Sequence, residues 1–257
     1  MEHLKILITA TMVTLVPISR AEAGASKPNP SKGDKHMPST TIVREATYIP
    51  FTAAPGQAEA VASLLTGAAA IVHDNEPGTL QWLSLRVDAD RFAIVDFFAG
   101  PEGREAHFAG KVAAALKAAA PQAVKGGWDE GVVSHVENSK VLSYALNGKV
   151  PAQARLATRI DITAQAGRAE ELAALLTGAG GIIKATEPGT LLWYALRIGP
   201  DRFAIFDVFL NEDGRKAHFA GKVAAALKAN ADALVEGGWD KGVVANIHNT
   251  TVISATW

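Results

Sequence analysis

The chain of 257 residues has no cysteine. That one absence excludes disulfides, thiolate metal ligands and a cysteine nucleophile. It has almost no net charge: 25 Lys and Arg stand against 26 Asp and Glu, so an electrostatic grip on nucleic acid is not expected. The body of the chain has no apolar run of about 20 residues, and a membrane span is not expected. Several chemical signatures are also missing: H-E-x-x-H, G-x-S-x-G, the P-loop and G-x-G-x-x-G do not occur. Zinc hydrolases, lipase-type hydrolases and nucleotide-binding enzymes are therefore poor readings.

The first 25 residues differ from the rest. Lys5 precedes an apolar run from Ile6 to Ile18, and Ala21-Glu22-Ala23 supplies an A-x-A cleavage pattern. This is the layout of a secretory signal. The tract SKPNPSKGDKH that follows reads as a flexible linker. Residues 1–37 are thus expected to be signal and linker, with a periplasmic or secreted product. The alternative is a cytoplasmic protein that starts at Met37.

What the chain does have is itself, twice. EPGTLQWLSLR at 76–86 returns as EPGTLLWYALR at 187–197, an offset of 111 residues. At the same offset AHFAGKVAAALKA occurs at 106–118 and 217–229, and GGWD at 126–129 and 237–240. The body is two copies of a module of about 105 residues, near the usual domain size. The copies are placed at 38–146 and 147–257, joined by NGKVPAQ at 147–153. Two units are too few for a solenoid.

Each copy reads in the same order. Thr41–Pro50 is β-branched and predicts a strand. Ala58, Val61, Leu64, Leu65, Ala68 and Ile71 recur at helical spacing. Glu76-Pro77-Gly78 is a turn. Strands at 79–87 and 91–98 flank the short polar hairpin at Asp88–Asp90, a helix is expected from 102 to 120, and a last strand from Val132. This is βαββαβ, the ferredoxin-like split motif of an α+β protein. In RFAIVDFF both strand faces are apolar, whereas a sheet with helices on one side only should have a polar outer face. The second copy supplies the cover. The two sheets are expected to face each other with helices outside, as an intrachain version of a two-fold dimer. A single chain would then act as a pseudo-dimer.

The candidate residues follow from this layout. Trp82, Ser84 and Arg86 share one strand face, as do Trp193, Ala195 and Arg197. A Trp wall with an Arg beyond it suits a planar anionic aromatic, by stacking and ion pairing. A core Trp with a solvent-reaching Arg is the plainer alternative. His107 and His218 lie on the second helix and have the residue type of a general base near neutral pH, unless their stripe with Arg104 and Lys111 is only a solvated edge. Asp96 and Asp207 stand inside apolar strands, where a carboxylate needs a partner or a raised pKa. Each is a candidate base, or a structural partner of Arg91, Arg86 or a backbone amide. Glu76 and Glu187 fit a turn or helix end, with a pocket rim second. Trp128 and Trp239 follow a Gly-Gly pair and read as plugs over a cavity or a domain seam. Tyr194 stands opposite Leu83 in the comparison of copies and joins the candidate binding residues. A two-copy metal site fails, because His73 is matched by Lys184 and His135 by Asn246.

EPGT before a Trp-bearing strand, then R-F-A-I-x-D, then G-R-x-A-H-F-A-G-K on a helix, resembles the antibiotic biosynthesis monooxygenase domain, whose members include quinol monooxygenase-like proteins. The resemblance covers 42–138 and 153–249 and implies the dimeric α/β-barrel fold. It spans several chemistries, including cofactor-free oxygenases and haem-degrading enzymes. The helix His that ligates iron in the haem branch falls near Val112 and Val223, both valine, so no haem and no other cofactor is expected. The resemblance implies a monooxygenase that uses dioxygen on hydroquinone-like or polycyclic phenols. Asp96 or His107 would be the base, Arg86 the cation and Trp82 the wall. Asp207, His218, Arg197 and Trp193 would repeat these roles. The alternative is a non-catalytic module that binds a small aromatic or serves in stress.

Overall fold

The computed structural model describes residues 42–148 and 155–256. The expected signal and linker, and most of the 147–153 junction, lie outside the described residues. The first copy contains β1 (Glu45–Thr52), α1 (Ala58–Asn75), β2 (Thr79–Arg86), β3 (Arg91–Phe98), α2 (Pro101–Phe108), α3 (Lys111–Ala123) and β4 (Glu137–Leu146). The second repeats it as β5 (Leu156–Thr163), α4 (Ala169–Thr186), β6 (Thr190–Arg197), β7 (Arg202–Phe209), α5 (Glu212–Phe219), α6 (Lys222–Leu234) and β8 (Ile247–Thr256).

Local chemistry sets the boundaries. Gly56 turns the chain into α1 at φ +76°, where a Cβ would be strained. Val61, Leu65, Ala68 and Val72 then bury one face of α1. Pro77 cannot continue the helix, and Thr79 N–H closes the turn onto the Glu76 carbonyl at 3.0 Å. The hairpin between β2 and β3 is held by the Asp88 carboxylate, which accepts from Arg91 N–H at 2.9 Å. The expected helix at 102–120 is two helices, because the chain breaks at Ala109-Gly110. The expected last strand begins at Glu137 rather than Val132, since Val133–His135 forms a 3₁₀ turn. The first strand begins at Glu45 rather than Thr41.

The eight strands close into one barrel in the order β1-β3-β2-β8-β5-β7-β6-β4. The last strand of each copy does the closing. β4 pairs with β1 through Glu137–Lys140, and from Lys140 to Leu146 it pairs with β6 of the other copy. β8 does the same with β5 and then β2. Every strand therefore has two neighbours, and no edge is left open. The two apolar strand faces separate as expected. Leu83, Leu85, Val95 and Phe97 of one copy meet Tyr194, Leu196, Phe206 and Val208 of the other inside the barrel. Trp82, Phe92 and Ile94 face α1 and α3, and Trp193, Phe203 and Ile205 face α4 and α6.

The interior is not symmetric. Phe97 stacks on Tyr194 with ring centroids 3.8 Å apart, and Tyr194 Oη donates to Gln81 Oε1 at 2.6 Å. Tyr48 and Arg159 occupy matched positions, yet they contact each other: the guanidinium sits 3.9 Å from the Tyr48 ring centroid. Arg159 also pairs with Glu137 of the first copy and with Asp161. The buried Tyr194 hydroxyl gives a direct test. Tyr194→Phe leaves Gln81 Oε1 without its donor and should cost about 1–3 kcal/mol in urea unfolding. An unchanged midpoint would mean that this contact does not contribute to the interior.

Candidate active site

The site lies between the sheet and the helices, outside the barrel interior. β3 places Asp96 on the helix-facing side, beside Thr47 on β1 and Trp82 on β2. Asp96 is fully buried, and neither carboxylate oxygen has a hydrogen-bond partner. The last turn of α2 brings His107 over it, with Nε2 at 3.6 Å from Asp96 Oδ2. On the other side of the ring, Nδ1 is 2.5 Å from Glu76 Oε2, and Thr79 Oγ1 lies 3.3 Å from the same nitrogen. The second copy repeats the arrangement: His218 Nδ1 is 2.6 Å from Glu187 Oε2, and Nε2 is 3.7 Å from Asp207 Oδ2.

Electrostatics follow from burial. Desolvation pushes the Asp96 carboxyl up to about 6 against the pull of His107, with Glu76 adding to the rise. The same causes bring Asp207 to about 7. Burial opposes the charged form of each imidazole. The carboxylates on its two sides outweigh burial and hold His107 and His218 above the usual histidine value.

His107 borders two cavities. One, about 280 Å³, is largely apolar: Ile49, Ile94, Phe108, Leu116, Trp128 and Val132 are among its walls, and Arg104, His107 and Asn138 are its polar groups. The other, about 420 Å³, opens on the Glu76 side and is lined by Thr79, Gly103 and Lys111 among others. Every residue lining the apolar cavity except Val136 recurs at the matched position of the second copy, where Ile247 stands instead. The barrel interior has diverged over the same interval: Leu83 faces Tyr194 in the comparison, and Val95 faces Phe206.

The structure brings some of the candidate residues together and separates others. Asp96 joins His107, and Asp207 joins His218. His107 and His218 are buried rather than part of a solvated edge. Arg91 pairs with Asp88 and Arg86 with Glu59, so neither reaches Asp96. Arg86 lies over the Phe92 ring at 5.1 Å, Arg197 pairs with Glu170 at 2.7 Å, and Arg86 is not among the residues lining the apolar cavity. Arg104 is the cation there, held by Glu45 at 2.5 Å. Arg215, its match, bonds Glu212 and Asn249 instead.

The aromatics divide in the same way. Trp128 lines the cavity. Trp239 packs against the core of the second copy and lies under Lys228, with Nζ 5.7 Å from its ring. Trp82 and Trp193 are wholly buried core residues whose indole N–H groups lack partners. Ser84 bonds Ser254 at 2.9 Å, and Tyr194 faces the barrel interior. Glu76 and Glu187 sit at the helix ends expected of them, Glu76 also lines a cavity, and what sequence reasoning missed is their contact with His107 and His218. The signal for their role was the joint recurrence of EPGT and AHFAG in both copies.

Haem does not fit this donor set. Val112 and Val223 are core residues, and both nitrogens of His107 and of His218 face carboxylates. Among the described residues no three His, Asp or Glu side chains are placed to hold a metal ion, and no helix is long and apolar enough to cross a membrane.

No family model matches the chain, and no curated protein does. Solved structures do. A candidate monooxygenase from Fusobacterium nucleatum superposes with a TM-score of 0.66 at 16% identity, over 83% of this chain and 94% of that one. A second, from Lactobacillus acidophilus, gives 0.66 at 14% identity, over 84% and 96%. A protein of unknown function from Nitrosomonas europaea is 35% identical over 40% of this chain and 94% of its own, with a TM-score of 0.37. The first two likenesses establish the fold: a ferredoxin-like α/β barrel shared with proteins named as monooxygenases.

The buried carboxylates predict a specific pH dependence. With their pKa raised in the folded state, Asp96 and Asp207 bind protons that the unfolded chain has released, so their contribution is present near pH 4 and is lost as pH rises through about 6 to 7. His107 and His218, also raised, add stability that is present below the ordinary histidine pKa and is lost as pH rises through their folded values. Asp96→Asn with Asp207→Asn should therefore raise the melting temperature at pH 8 and change it little at pH 5. A drop at pH 8 would mean that the ionised carboxylates are stabilised by groups other than those seen here.

Proposed function

We propose that the chain is a cofactor-independent monooxygenase of the antibiotic biosynthesis monooxygenase family, acting with dioxygen on small hydroquinone-like or polycyclic phenols. The observation that carries this is the buried His107–Asp96 pair at the wall of an apolar cavity, repeated as His218–Asp207. A cavity of about 280 Å³ lies at the small end of ligand pockets, which favours substrates of one or two rings.

The chemistry asks little more of the protein. Ground-state dioxygen is a triplet and reacts slowly with a closed-shell phenol, whereas a phenolate can pass over one electron first. His107 Nε2 takes the phenolic proton, and Asp96 stabilises the imidazolium that forms. Arg104 and Asn138 are the polar groups that orient the phenolate oxygen, taking the place expected of Arg86. The apolar walls keep water from the radical pair. One oxygen atom enters the ring at an open position, where C–H becomes C=O. The second leaves as water, and the substrate supplies all four electrons. The resemblance, the fold and the absence of cofactor motifs in the sequence support this reading.

Oxygen uptake by metal-stripped protein tests it, with a panel of hydroquinones, naphthols and anthrones. Uptake above the autoxidation rate is expected, and His107→Ala with His218→Ala should lower kcat by about 100-fold or more. No uptake from the panel, with an aromatic still raising the melting temperature, would overturn the oxygenase reading in favour of a module that only binds small aromatics.

A further inference from the structure

His107 stands between the apolar cavity and the second, larger one, and Glu76 is the group on that second side. We propose that Glu76 is a positioning residue that fixes the tautomer of His107 and relays its proton to the outer cavity, and that Glu187 does the same for His218. This rests on the oxygenase reading for its catalytic use, but the positioning claim stands on geometry alone.

The seat of Glu76 is built by the helix break. α2 ends at Phe108 and α3 starts at Lys111, so the N-terminus of a 13-residue helix points at the carboxylate. Val112 N–H donates to Glu76 Oε1 at 3.5 Å, and a helix N-terminus favours a negative charge. Gly110 is part of the seat: a Cβ there would run into Glu76 Oε1, and one on Gly221 would run into Glu187 Oε1. An unbroken helix through 109–110 would have no free N–H groups to offer at this point. Oε2 is left to accept from His107 Nδ1–H at 2.5 Å. An imidazole that donates from Nδ1 has its lone pair on Nε2, the nitrogen toward Asp96.

The proton path follows. A phenol O–H gives its proton to Nε2, Nδ1–H passes to Glu76 Oε2, and Glu76 releases it into the outer cavity. The ring ends with its proton on Nε2 and must rotate, or return the proton to Nδ1 by the same path, before the next turnover. Every group facing His107 bears on its titration: Glu76 after α1, Asp96 on β3, Thr79 on β2, and Arg104 on its own helix. Arg104 is neutralised by Glu45. Lys111 lines the outer cavity and bonds Asn75 Oδ1 at 2.5 Å.

The test is nitrogen NMR of histidine-labelled full-length protein, which reads tautomer and titration without substrate. The wild type should show the Nδ1–H tautomer for neutral His107 and His218, and titration above the ordinary histidine value. Glu76→Gln with Glu187→Gln should lower that titration and let the Nε2–H tautomer appear. Gly110→Ala with Gly221→Ala, which keeps both carboxylates but crowds their seats, should move the signals in the same direction. Glu76→Asp with Glu187→Asp should restore part of the effect. In oxygen uptake the Gln variant should lose about 100-fold in kcat at unchanged KM. Unchanged tautomer and titration in the folded Gln variant would overturn the proposal whatever the oxygen assay shows. Normal NMR shifts without any oxygen uptake would leave Glu76 positioning His107 and remove only the oxygenase reading.

Discussion

Closure of the barrel by β4 and β8 is the constraint on which the rest depends. A sheet with two apolar faces must be covered twice, and helices cover only one side. Each copy therefore lends the second half of its last strand to the other, and the eight strands share one interior. The helices are left to pack on the outside, and this puts each site between sheet and helix rather than in the barrel. The interior, shared by two sequences in one chain, is free to become asymmetric. Tyr48 against Arg159, at matched positions, is a pair that a dimer of identical modules could not form.

The sites changed differently from the interior. The walls of the apolar cavity recur almost residue for residue in the second copy, and so do Glu76, Asp96 and His107. The cost of the site is visible in its unpaired groups. Burying a carboxylate without hydrogen-bond partners is unfavourable, and the raised pKa of Asp96 and Asp207 is the form that cost takes. A buried acid held near neutrality beside an imidazole is an arrangement suited to proton transfer.

Much of this was legible in the residues. The repeat, the βαββαβ order and the mutual covering of two sheets followed from the offset of 111 and from RFAIVDFF having no polar face. Asp96 stood out as a polar residue inside an apolar strand, and His107 by its residue type on the second helix, although its stripe with Arg104 and Lys111 also read as a solvated edge. What the sequence did not show was set by distance in the chain. Glu76 lies 31 residues from His107, and only the path of α1 and α2 brings them together. Arg86 looked suited to a pocket because it shares a face with Trp82, but the strand end carries it to Glu59 instead. Arg104 lines the cavity because α2 stops short and turns. That stop comes at Ala109-Gly110, inside what the sequence pattern carried as one helix from 102 to 120, and nothing in that pattern marked Gly110 as the seat of a carboxylate.

The central claim is that the cavity beside His107 holds a phenol. An anaerobic calorimetric titration with a naphthohydroquinone tests this without waiting for turnover. The phenol should bind with a saturable heat, and binding should weaken in His107→Ala/His218→Ala. No binding, or binding that these substitutions leave untouched, would contradict the account.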